Sequence, residues 1–142
     1  VLAHGRQGEF DRILVDAPCT GLGALRRRPE ARWRKTPADV AELVTLQTEL
    51  LDAAIDALAP GGIVAYVTCS PHLAETTGVV AETLRNRDDV VELDARAVMT
   101  DVAESPIDLA GADARHVQLW PHRHGTDAMF LALLQRTPKG SS

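Results

Sequence analysis

Two spacings of apolar residues alternate along this chain, and each change of spacing marks an element. The run Phe10-Asp11-Arg12-Ile13-Leu14-Val15 is compact and apolar at its end, and it stops at Asp16-Ala17-Pro18-Cys19. It predicts a strand over 10–16. The spacing then opens to threes and fours at Val40, Leu43, Val44, Leu50, Leu51, Ala54, Ile55 and Leu58, the period of an amphipathic helix. Thr36-Pro37-Ala38-Asp39 signals its start: a capping threonine, a proline suited to the first helical position and an acidic variant of the capping box. Pro60-Gly61-Gly62 ends it and turns the chain into Ile63-Val64-Ala65-Tyr66-Val67. An unbroken apolar run of that kind reads as a strand over 62–68 buried on both faces of a parallel sheet. It stops at Thr68-Cys69-Ser70-Pro71.

Beyond Pro71 a second helix is expected from about Leu73 to Arg87, with Val79, Val80 and Leu84 facing inward, followed by strands over 90–94 and 127–135. Residues 94–118, with Pro106 and Gly111, show no clear period and predict only a connection. The chain reads as one unit over 1–136 with a disordered tail over 137–142. Strand, helix and strand in succession form a βαβ unit whose crossover is right-handed in nearly all proteins, which makes the fold α/β. The strands 10–16 and 62–68 are then parallel neighbours about 4.8 Å apart. Ligands in open α/β sheets bind at the carboxyl ends of such strands. Both of the chain's cysteines, Cys19 and Cys69, fall there, although they are far apart in sequence.

Composition sharpens this picture in a few places. At 142 residues, 45% hydrophobic and 25% charged, the chain has the makeup of one globular domain. No apolar run approaches the roughly 20 residues of a membrane span and no secretory leader is present, so a cytoplasmic protein with no membrane partner is expected. The chain opens on Val1, which suggests a piece of something longer. Two cysteines outside any CxxC pair build neither a disulfide framework nor a structural zinc site, so no metal is expected despite His72, His116, His122 and His124. A net charge of −5 argues against coating nucleic acid by bulk charge. Locally the balance reverses: in Arg26-Arg27-Arg28-Pro29-Glu30-Ala31-Arg32-Trp33-Arg34-Lys35 six of ten residues are basic. A solvated charged loop and a phosphate- or RNA-contacting loop, with Trp33 among the charges, are both open readings of it.

A thiol at a strand end, beside the start of the following helix, is placed for its thiolate to act as a nucleophile. One cysteine would be read as buried and inert. Two in equivalent positions, one after Asp-Ala-Pro and one between Thr and Ser-Pro, favour function.

Taken together, Asp16-Ala17-Pro18-Cys19-Thr20-Gly21-Leu22-Gly23 with Arg27, Pro29, Glu30 and Trp33, then Tyr66-Val67-Thr68-Cys69-Ser70 with Glu75, then His124-Gly125-Thr126-Asp127-Ala128-Met129-Phe130, resemble the RNA 5-methylcytosine methyltransferases of the NOL1/NOP2/Sun family. The bacterial branch acting on 16S ribosomal RNA is the most similar. The resemblance implies a Rossmann-like class I methyltransferase fold with an antiparallel last strand, S-adenosylmethionine as cofactor and ribosomal RNA as partner. It implies Cys69 as the nucleophile that adds to carbon 6 of cytosine, and Cys19 as the group that assists loss of the carbon-5 proton or release of the enzyme. Asp16 would bond the cytosine edge near N3 or, with Pro18, meet the cofactor, and Pro18 would shape the base pocket. Arg27, Arg28, Arg32, Trp33 and Arg34 would contact RNA.

The chain departs from the family in three places. Thr76 follows Glu75 where the family has Asn, and Asp127-Ala128-Met129-Phe130 replaces Asp-Gly-Phe-Phe. No glycine-rich cofactor loop precedes the first strand. The chain is therefore expected to be the second half of a catalytic domain, to bind cofactor weakly or not at all by itself and to self-associate through an uncovered sheet edge. Two other readings stand beside this one. The first is a catalytically silent RNA-binding or assembly module of the same fold, which would need neither cysteine. The second is an amino-directed methyltransferase, whose Asp/Asn-Pro-Pro-aromatic motif Asp16-Ala17-Pro18-Cys19 lacks.

Overall fold

The computed structural model describes residues 8–19, 37–70, 72–102, 115–119 and 128–137. In chain order its elements are β1 (Phe10–Asp16), α1 (Pro37–Ala57), β2 (Leu58–Thr68), a 3₁₀ turn (Leu73–Glu75), α2 (Thr77–Asn86), β3 (Val90–Leu93), α3 (Ala95–Val102), β4 (Val117–Leu119) and β5 (Met129–Arg136). The βαβ unit is as expected: β1 and β2 are adjacent and parallel, with Ile13 opposite Val64 and Asp16 opposite Val67. The sheet runs β1-β2-β5-β3, and β4 also pairs with β5. Because β5 is antiparallel to β2, β3 and β4, it is the one reversed strand among the five described. It lies inside the sheet, with β3 and β4 sharing its second edge end to end.

Two elements were not legible in the sequence. Residues 94–118 contain α3 and the first two residues of β4. Both are short, and β4 is held by its pairing with Met129, Phe130 and Leu131, a long-range contact that leaves no local period. The second helix is split: a 3₁₀ turn capped by the His72 side chain, which accepts from the Ala74 N–H at 3.1 Å, precedes α2. The expected tail lies almost wholly outside the described residues.

Burial corrects one expectation. Along β2 only alternate residues are fully buried: Leu58, Gly62, Val64, Tyr66 and Thr68, while Ile63, Ala65 and Val67 are half-exposed. The strand is covered fully on one face. There Val64, Tyr66, Phe130, Ala132 and Leu134 pack with Leu51, Ala54 and Ile55 of α1 and Val79 and Val80 of α2. Among the described residues β1 is the edge strand, and Leu14 on it is 69% exposed. No described helix is long and apolar enough to cross a membrane.

Candidate active site at two adjacent strand ends

The parallel register sets the geometry of the site. Beyond the last ladder pair the Ala17 N–H still donates to Val67 O at 3.0 Å, so Pro18-Cys19 and Thr68-Cys69 leave the sheet at the same edge, side by side. Asp16 is level with Val67 and exposed, while Ala17 is buried on the face that carries Tyr66. Pro18 is exposed; Cys19 and Cys69 are both half-buried and neither is in a disulfide. The structure thus brings together Asp16, Pro18, Cys19 and Cys69. Arg27, Arg28, Arg32, Trp33 and Arg34 lie outside the described residues.

Below these strand ends lies a buried polar cluster that sequence reasoning missed as a unit. Gln47, Ser70 and Glu75 are all fully inaccessible to solvent. Gln47 Nε2 donates to Pro18 O at 2.7 Å and to Glu75 Oε1 at 3.2 Å. Ser70 Oγ donates to Glu75 Oε2 at 2.5 Å and accepts from the His72 N–H at 3.0 Å. Tyr66 Oη donates to the Glu75 carbonyl at 2.8 Å. Burial first, and then the negative charge of Glu75 and of Cys19, hold the Tyr66 phenol far above its ordinary value of 10.0. It therefore stays protonated and remains a donor. The signal for Gln47 was present in the sequence: it is one turn from both Leu43 and Leu51, on the stripe where the helical period calls for an apolar residue.

A second buried feature lies away from the cysteines. His116 stacks at 5.1 Å on Phe130 and, with Glu92, lines a cleft of about 190 Å³ beside α2. Burial lowers the His116 pKa and raises that of Glu92. A larger groove, about 440 Å³, runs between α1 and α2 past Thr45, Glu49 and Glu82. Neither cleft reaches Asp16, Cys19 or Cys69. No group of three or more His, Cys, Asp or Glu among the described residues is arranged to hold a metal ion.

Comparison with known proteins places this geometry. A family model described as 16S rRNA methyltransferase RsmB/F matches residues 3–135. The chain belongs to that family. Rv1407 of Mycobacterium tuberculosis, provisionally named a methyltransferase, is 65% identical over 128 residues, which cover 89% of this chain and 26% of Rv1407. Ribosomal RNA small subunit methyltransferase B of Pectobacterium atrosepticum is 38% identical over 125 residues, covering 88% of this chain and 26% of that protein. NSun6 from Pyrococcus horikoshii, solved with SFG, superposes with a TM-score of 0.70 at 26% identity, over 89% of this chain and 30% of that one. The fold is accordingly the Rossmann-like one of the Sun-type methyltransferases. The chain spans about a quarter of the length of the curated relatives it matches.

Family membership raises the question of a methyl-donor site. The described residues at this sheet edge offer one group suited to a cationic methyl donor, the Asp16 carboxylate. Asp16 is exposed at the open β1 end, and no cation among the described residues forms an ion pair with it. A carboxylate so placed suits the cationic end of an S-adenosyl donor, with Pro18 beside it as an exposed apolar wall.

Proposed function

We propose that this chain is the cysteine-bearing part of an S-adenosylmethionine-dependent RNA methyltransferase that modifies carbon 5 of a cytosine in 16S ribosomal RNA. What supports the reading above all is the adjacency of the Cys19 and Cys69 segments at the carboxyl ends of two parallel strands. The family match and a relative solved with SFG, an analogue of S-adenosylmethionine, agree with it. A ribosomal RNA substrate makes the activity cytoplasmic.

The cofactor, when bound, supplies an electrophilic methyl group. Carbon 5 of cytosine is too weak a nucleophile to accept it directly, so covalent catalysis is required. The Cys69 thiolate adds to carbon 6, forming an S–C bond and moving the C5–C6 electron pair toward carbon 5, which takes the methyl group. Asp16 bonds the N3 edge, where charge develops, or the cofactor. Cys19, as thiolate, takes the carbon-5 proton; the electrons left behind restore the C5–C6 bond and expel Cys69 as a thiolate. A cytosine within an RNA helix would first be flipped out. Arg27, Arg28, Arg32 and Arg34 would contact phosphates, and Trp33 would stack on a base.

Variants of a full-length methyltransferase carrying this sequence test the order of events. With substrate RNA and cofactor, Cys69→Ala should abolish methylation and form no covalent complex. Cys19→Ala should trap the adduct as a protein–RNA band that survives a denaturing gel, and the double variant should lose that band. A trapped band from Cys69→Ala alone would reverse the two roles. Full activity in both single variants, with no trapped band from either, would mean that the covalent mechanism is wrong for this protein.

A further inference from the structure

We propose that Gln47 and Glu75 are positioning residues that fix the Cys19 segment relative to the Cys69 segment. The proposal rests on the covalent reading above for its purpose, but its geometry stands separately. The bridge is continuous: Pro18 O accepts from Gln47 Nε2, Gln47 Nε2 also donates to Glu75 Oε1, and Glu75 Oε2 accepts from Ser70 Oγ. One end of it is the carbonyl joined to Cys19; the other is the residue that follows Cys69. The Gln47 amide spends both hydrogens, one on each acceptor, and the Ser70 hydroxyl also accepts from the His72 N–H.

Stability alone gives no reason for this chemistry. Gln47 is on the apolar stripe of α1 and fully buried, and its Oε1 meets no donor among the described residues. A buried carboxylate and an amide with an orphaned oxygen cost more than leucine-sized apolar side chains filling the same volume. Apolar side chains, however, cannot hold a carbonyl. The pyrrolidine ring fixes φ at Pro18, so tying its oxygen sets the peptide plane from which Cys19 departs. Together with the Ala17-to-Val67 hydrogen bond, the bridge pins the two segments from beneath as well as through the sheet. Two thiols that act in sequence on neighbouring carbons of one ring need such fixed separation, because misplacement by about 1 Å can cost on the order of a hundredfold in rate.

The test uses Gln47→Met, which keeps the volume and removes both donors, and Ser70→Ala, which cuts one link of the bridge, in a full-length methyltransferase carrying this sequence. Dibromobimane, which bridges two neighbouring thiols, reads the geometry without RNA or cofactor. Both variants should lose Cys19–Cys69 cross-linking while each thiol still reacts singly with iodoacetamide. The rate of adduct formation with 5-fluorocytosine RNA should fall by about ten- to a hundredfold, with RNA binding unchanged. Wild-type cross-linking and adduct rates in folded Gln47→Met would overturn the proposal. If Gln47→Met does not fold, Ser70→Ala decides alone by the same criteria. Cross-linking that depends on Gln47 in an enzyme that forms no adduct even as wild type would sink the covalent reading and leave the positioning role intact.

Discussion

At Gly62 a single added carbon would collide with the backbone: a Cβ there would stand 2.9 Å from both the Ala59 and the Phe10 carbonyl oxygens. This is where the β1–β2 ladder is irregular, shifting register between Phe10 and Arg12. Neighbouring Gly61 is special for a different reason. It has φ +84 and open space around its Cα, so its requirement is conformational rather than steric. Gly62→Ala should therefore cost about 1–3 kcal/mol through forced backbone shifts, and Gly61→Ala about 1–2 kcal/mol through left-handed strain. Urea unfolding checks both; a Gly62→Ala variant as stable as the parent would mean that the ladder relaxes freely at its bulge. Gln47 teaches a related lesson at this scale: a polar residue on an apolar stripe, passed over in the sequence, is fully buried beneath the strand ends that carry the cysteines.

Among the elements, α1 is completed by its neighbours. Its last turn carries no basic residue, yet Arg136 of β5 donates to the carbonyls of Ile55, Asp56 and Leu58 at 3.4, 3.2 and 2.8 Å. Arg87, just past α2, bridges Asp56 at 2.8 Å and Asp89 at 2.9 Å. The two arginines supply from a distance the cationic C-terminal cap that the helix lacks. Its hydrogen bond to Asp89 raises the already high Arg87 pKa, and Arg87 in turn holds the Asp89 carboxyl below its ordinary 3.8. The depressed Asp89 pKa means that this stabilisation is present above about pH 4 and is lost as pH falls through the folded-state value. Arg87→Met should cost about 1–3 kcal/mol near neutral pH, and the variant's stability should fall less steeply than the parent's as pH drops below about 4. Parallel acid limbs for parent and variant in urea titrations would refute the coupling.

For the molecule as a whole, the open flank at β1 dominates. Among the described residues the strand is at the sheet edge and presents Leu14, 69% exposed, on a chain that spans about a quarter of its curated relatives. Unpaired strand edges with exposed apolar residues template association. The 142-residue chain prepared by itself is expected to self-associate through this strand and to bind S-adenosylmethionine weakly. Leu14→Lys should shift it toward monomer in analytical ultracentrifugation. Association unchanged by that substitution would move the contact elsewhere.

The sequence by itself determined the βαβ unit, because hydrophobic period, capping residues and the Pro-Gly-Gly break are local signals. It also determined the candidate chemistry, because two cysteines closing two apolar strands can be read without coordinates. Only the tertiary structure decided what lies between those strand ends. The Gln47–Glu75–Ser70 bridge joins three segments whose spacing in sequence carries no period, and β4 exists only through its partner β5. The coverage of β2 on one face rather than two was likewise decided by where α1 and α2 pack. An apolar run records that a strand can be buried, and the packing of its neighbours determines which side is.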